Sequence, residues 1–181
     1  MGRCISCPRP VARAGGLLAL SMVLLLAACA GRLPELDRAP SRAFAATEVT
    51  SLGRAVAALN PPHPDYSGFH LLGDPREAFA VQLGLMATAE HALDLQYYTW
   101  HDDTAGWLLF RAVYDAAERG VRVRLLLDDL HTVGLDRALL QLDAHPSIEI
   151  RLFNPFPNRY MRLVDLLLHF DSSNRRMHNK S

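Results

Sequence analysis

The sequence predicts an α/β domain whose sheet is at least partly parallel. Three observations predict it. From Gly68 onward, strand-like and helix-like segments alternate, the pattern of successive βαβ units. The run Val121 to Leu127 begins with alternating polarity and ends in three consecutive leucines, as in a strand buried on both faces. The helical segments begin at capping residues and stop at glycine or a turn.

In order, Phe69 to Leu72 is a short, mostly apolar, strand-like run. Gly73-Asp74-Pro75 then supplies a turn, an N-cap and a first-turn proline. A helix is predicted from there to about Glu90, with Phe79, Leu83 and Met86 at helical spacing. Leu93 to Tyr98 reads as a strand with Leu93, Leu95 and Tyr97 on one face. Asp103 can cap the next helix, which runs to Arg119 and stops at Gly120. After the strand Val121 to Leu127 comes Asp128-Asp129, then a helix from about Leu135 to Ala144 and a strand from Ile148 to Phe153. The loop Asn154-Pro155-Phe156-Pro157 cannot continue that strand. Tyr160 to Phe170 places Met161, Val164, Leu167 and Leu168 along a helical stripe that suits contact with lipid or core packing, of which core packing is preferred.

A chain of 181 residues with half its positions apolar can bury the core of one domain. Net charge is zero, but the first 28 residues hold Arg3, Arg9 and Arg13 and no acid, so the remainder is mildly acidic. General attraction to polyanions is excluded, and any phosphate binding must be local. Residues 1–28 read as an export signal, an arginine-bearing start followed by the apolar run Leu17 to Ala28. The run ends in Leu26-Ala27-Ala28-Cys29, which resembles a bacterial lipobox and implies lipidation of Cys29. Ala30 at the following position favours the outer membrane, facing the periplasm. No cysteine follows Cys29, so the exported part has neither disulfide nor thiolate metal site. Residues 29–66 are proline-rich and read as a tether with a short helix from Thr50 to Leu59. Residues 67–181 are the domain.

The chemistry-bearing stretch is Asn174 to Ser181. His178 and Lys180 are two apart, and on an extended segment they point to one face. An imidazole can be nucleophile or proton carrier near neutral pH. An ammonium beside it can hold a phosphate oxygen and neutralise developing charge. Lys180 is the chain's only lysine, among eighteen arginines, and it falls beside this histidine. Ligand sites on parallel sheets lie beyond the carboxyl ends of strands, where Tyr97, Tyr98, Trp100, Asp128, Asp129 and Asn154 cluster. Tyr97 and Trp100 read as core or rim aromatics, and Arg122 and Arg124 as a solvated strand face. The pair Asp128-Asp129 suits a metal or a cap; the cap is favoured, and neither metal nor cofactor is assigned. His63 and His70 read as surface histidines.

Gln96-Tyr97-Tyr98, Ala116 to Val123, Leu126 to Asp129, Leu152 to Phe156 and Asn174 to Ser181 together resemble the amino-terminal half of a phospholipase D superfamily protein of the cardiolipin-synthase-like branch. The resemblance implies a phospholipase D-like mixed sheet flanked by helices, incomplete at the carboxyl end. It also implies metal-independent phosphatidyl transfer or hydrolysis through a phosphohistidine. By it, His178 is nucleophile or general acid/base and Lys180 holds phosphate oxygens. The implied partners are phospholipids, phosphatidylglycerol with or without phosphatidylethanolamine, and a membrane reached through the lipid anchor, with no nucleic acid. The family motif continues with an aspartate, a Gly-Ser and an asparagine and occurs twice per site. These 181 residues hold one His-x-Lys, so the chain alone is expected to be inactive. Two other readings stand beside this one: a phosphodiesterase or nuclease of the same superfamily, and a noncatalytic lipid-binding lipoprotein.

Overall fold

The computed structural model describes residues 37–59, 66–156, 162, 167, 170 and 175–178. Three strands form one sheet of order β1-β2-β3: β1 Ala92–Tyr97, β2 Arg122–Asp128 and β3 Ile148–Phe153. Both pairings are parallel, with Leu95 opposite Leu125 and Leu125 opposite Ile150. The described strands thus make a small parallel sheet, with no antiparallel strand among them.

The described α-helices around it include α1 Ser51–Ala58, α2 Pro75–Thr88, α3 Thr104–Glu118 and α4 Asp136–Asp143. Local chemistry explains their ends. Asp74 caps α2 by accepting from the Arg76 amide at 2.7 Å, with Pro75 at the first helical position. Asp103 caps α3 through the Gly106 amide at 2.8 Å. Gly120, at φ 87°, turns the chain out of α3 into β2 in a conformation that costs a side-chain-bearing residue strain.

The β1–α3–β2 and β2–α4–β3 crossovers lay both helices on one face, since two crossovers of the same hand along a sheet of this order must. There Leu109, Phe110 and Val113 of α3 and Leu139 and Leu142 of α4 meet Leu95, Val123, Leu125, Leu127 and Ile148 in a single core, joined by Met86 of α2. Val113, Val123, Leu125 and Leu127 are at most 1% exposed, each contributing roughly 1.5–3 kcal/mol of transfer free energy.

The opposite face carries the alternate residues of the strands, and it is not simply solvated. Arg124 pairs with Asp94, Nε to Oδ1 at 2.6 Å, and donates to Ser41 Oγ at 3.1 Å. Arg122 donates to the Arg42 carbonyl at 2.7 Å. Arg38 pairs with Asp143, Phe44 stacks on His91 at 4.9 Å, and the Ser51 amide donates to Glu90 at 3.0 Å. Part of the stretch read as a tether therefore lies against the domain, because polar side chains on the uncovered sheet face offer donors to its backbone. The expected α1 is present, with Thr50 as its cap.

Phe69 to Leu72 does not form the expected strand-like element. Phe69 is 95% and Leu71 88% exposed, for an extended run gains little unless a sheet edge supplies its hydrogen bonds. His70 is exposed as expected, and His63 lies outside the described residues. Of the predicted 160–170 helix, Arg162, Leu167 and Phe170 are described and are helical. They belong with Phe156 to a second unit, in which the Arg162 guanidinium lies 5.5 Å over the Phe156 ring.

Candidate active site

The carboxyl ends of the three parallel strands present one residue each toward the same place. Tyr98 directly follows β1, Asp128 ends β2, and Asn154 directly follows β3. Asn154 adopts φ 48°, a left-handed conformation that asparagine tolerates better than most residues. Residues 175–178, far along the chain, are held across these ends.

Each residue of that stretch has its own attachment. The Arg175 carbonyl accepts from Asn154 Nδ2 at 2.8 Å. Arg176 Nη1 donates to Asp128 Oδ1 at 3.2 Å, and the Met177 amide donates to Asp128 Oδ2 at 3.0 Å. The Met177 side chain is buried. His178 then rests its ring on Tyr98, with centroids 5.1 Å apart. A histidine that the sequence leaves at the end of a long connection is thereby placed at the mouth of the sheet.

Asp128 is the centre of this arrangement. Its side chain has no solvent exposure, and a carboxylate so buried is tolerable only with partners for its charge and lone pairs. Oδ1 also accepts the Leu130 amide at 2.9 Å, capping the tight turn Asp129–His131. Asp129 is buried as well and accepts the Thr132 hydroxyl, locking the same turn. The capping role expected for this pair is present. What sequence reasoning missed is the grip of Asp128 on Arg176 and Met177. The only signal for it was a pair of carboxylates closing a strand too buried to leave them solvated.

Two further imidazoles are linked to the same tyrosine. The His131 ring meets Tyr98 edge-on at 5.0 Å, and His101 lies 6.0 Å from His131. Tyr97 and Trp100 belong to the packing, as expected. Trp100 is buried and stacks on Phe110 at 4.6 Å, while Tyr97 packs against Trp100 and donates to Gln82 at 2.9 Å. Burial pushes the Tyr97 hydroxyl pKa up. Gly106 permits the loop carrying His101 to lie on α3, since a Cβ there would stand 2.0 Å from the His101 carbonyl oxygen. Lys180 and Cys29 lie outside the described residues.

The arrangement offers an imidazole at a sheet mouth, positioned by a buried carboxylate that grips the two residues before it, Arg176 and Met177. That suits nucleophilic or proton-transfer chemistry on a bound anion.

No protein-family model matches the chain. It is 53% identical over 130 residues to cardiolipin synthase C of Escherichia coli (strain K12), an alignment covering 72% of this chain and 28% of that protein. It is 33% identical over 94 residues to cardiolipin synthase 1 of Bacillus cereus, covering 52% of this chain and 18% of that one. Among solved structures, NucT from Helicobacter pylori is similar at 22% identity and a TM-score of 0.38, over 47% of this chain and 52% of that one; so loose a superposition carries no argument. The chain spans less than a third of the length of these two synthases.

Proposed function

The chain belongs to the cardiolipin-synthase-like branch of the phospholipase D superfamily, and from that premise we propose that it is the amino-terminal part of a phosphatidyltransferase. The observation that carries the proposal is the placement of His178 at the carboxyl ends of three parallel strands, held through Asp128. In the transfer, an imidazole nitrogen bonds to phosphorus as the bond to the leaving alcohol breaks, and a second histidine gives that alcohol its proton. The second histidine then takes a proton from the acceptor alcohol, whose oxygen displaces the first from phosphorus. His178 serves as one of these two groups, and Lys180 holds the non-bridging oxygens. The other histidine belongs to the second motif of the intact protein.

The substrate we assign is phosphatidylglycerol, with or without phosphatidylethanolamine as the second lipid. A lipid-modified Cys29 would hold the enzyme on the periplasmic side of a bacterial membrane and concentrate it at that substrate. Expression of the intact protein in cells lacking other cardiolipin-forming enzymes is expected to produce cardiolipin. His178→Ala is expected to lower that production by roughly 10⁴-fold or more, as for loss of a nucleophile elsewhere. Unchanged lipid composition on expressing the unsubstituted protein would sink the proposal.

A further inference from the structure

We propose that His131 forms a second contact for the substrate, binding the phosphodiester of the headgroup beside His178; this rests on the transferase reading above. Four observations converge on it. First, one tyrosine ring touches both imidazoles, with Tyr98 at 5.1 Å from His178 and 5.0 Å from His131. The two histidines therefore lie against the same ring at the mouth of the sheet, and the His101 ring centroid is 6.0 Å from that of His131.

Second, no ring nitrogen of His101, His131 or His178 is hydrogen-bonded to a described residue. The same domain shows what a structural histidine looks like. His145 accepts from the Ser147 amide at 3.1 Å through Nδ1 and meets Glu118 at 3.1 Å through Nε2, so both its nitrogens are occupied. Third, His131 sits on a turn that is built more firmly than a surface histidine requires. Asp128 caps the turn through Leu130, Thr132 ties it to Asp129, and these three anchors are at most 1% exposed. A fixed base with free nitrogens is preorganised for a ligand rather than for packing.

Fourth, several of the nearby charged groups are already engaged. Arg176 is on Asp128, Asp103 caps α3, and Asp102 accepts the Trp107 indole N–H at 2.7 Å. The imidazole N–H groups are therefore open to an entering anion, beside the Lys180 ammonium assigned above. A phosphodiester has two non-bridging oxygens sharing one negative charge, and imidazole N–H donors from two sides match it with charge-assisted bonds. That chemistry is common to a lipid headgroup and to free phosphate, and the proposal is for the headgroup.

The test is calorimetric binding of glycerophosphoglycerol, the deacylated diester of the headgroup, to the intact protein and to His131→Gln and His178→Ala, with inorganic phosphate as a separate arm. Binding to His131→Gln is expected to be about tenfold weaker, the effect of one hydrogen bond to an anion. The diester is expected to bind more tightly than inorganic phosphate. Equal affinity in His131→Gln, with binding lost in His178→Ala, would overturn the role of His131 alone. No change in either variant, or no binding at all, would overturn both this inference and the placement of substrate at His178. Tighter binding of inorganic phosphate than of the diester would make this a free-phosphate site and end the headgroup assignment.

Discussion

Three donors converge on the carboxylate of Asp128: the Arg176 guanidinium and the amides of Met177 and Leu130. One residue thus joins the turn that carries His131 to the segment that carries His178. Asn in its place would turn an amide N–H₂ toward one of those donors and remove the charge that Asp128 sets against Arg176, whose side chain is 12% exposed. Asp128→Asn is expected to cost about 3 kcal/mol in urea unfolding, the low end for breaking a buried pair. It should also abolish the ring-current shift that Tyr98 imposes on His178. If that shift persists in the variant, the histidine is held by something other than Asp128. The candidacy of His178 came from its spacing with Lys180 and from the segments preceding it. The role of Asp128 was not, because its partners lie 48 and 49 residues away and no local pattern encodes such a pairing.

Among elements, the strands and the helices that cross between them follow from short-range pattern. Alternation along β2 puts Val123, Leu125 and Leu127 in the core and Arg122 and Arg124 on the other side, and the capping aspartates mark where α2 and α3 begin. The fate of the polar face was less legible. Arg122 and Arg124 take backbone partners 80 and 83 residues earlier, which composition alone reads as tether. The Phe69 to Leu72 run misleads for the complementary reason, since apolar character cannot supply a strand with a neighbour. On that polar face, hydrogen bonding to Arg124 holds the Asp94 carboxyl below the usual carboxylate range. A pKa depressed by folding contributes stability that is fully present above the unfolded value, near 4, and is lost as pH falls through the folded value. Wild type should therefore lose slightly more stability than Asp94→Asn between pH 7 and pH 3 in urea titrations. The difference should stay below about 1 kcal/mol because the pair is partly exposed. An equal or greater loss in Asp94→Asn would show that the pair does not stabilise the fold.

At the scale of the whole molecule, the lipid anchor proposed at Cys29 has its own test. Cys29→Ser in the intact protein is expected to abolish incorporation of labelled palmitate and to move the protein from the membrane to the soluble fraction. Retention of label in that variant would place the lipid elsewhere. The alternation of strands and helices, the caps and the family could all be read in the chain, because each depends on residues a few positions apart or on segments in order. The convergence of Tyr98, Asp128 and Asn154 on residues 175–178 was settled by packing. It arises because parallel strands in register bring their carboxyl ends side by side, and a buried carboxylate there must find donors wherever the chain returns.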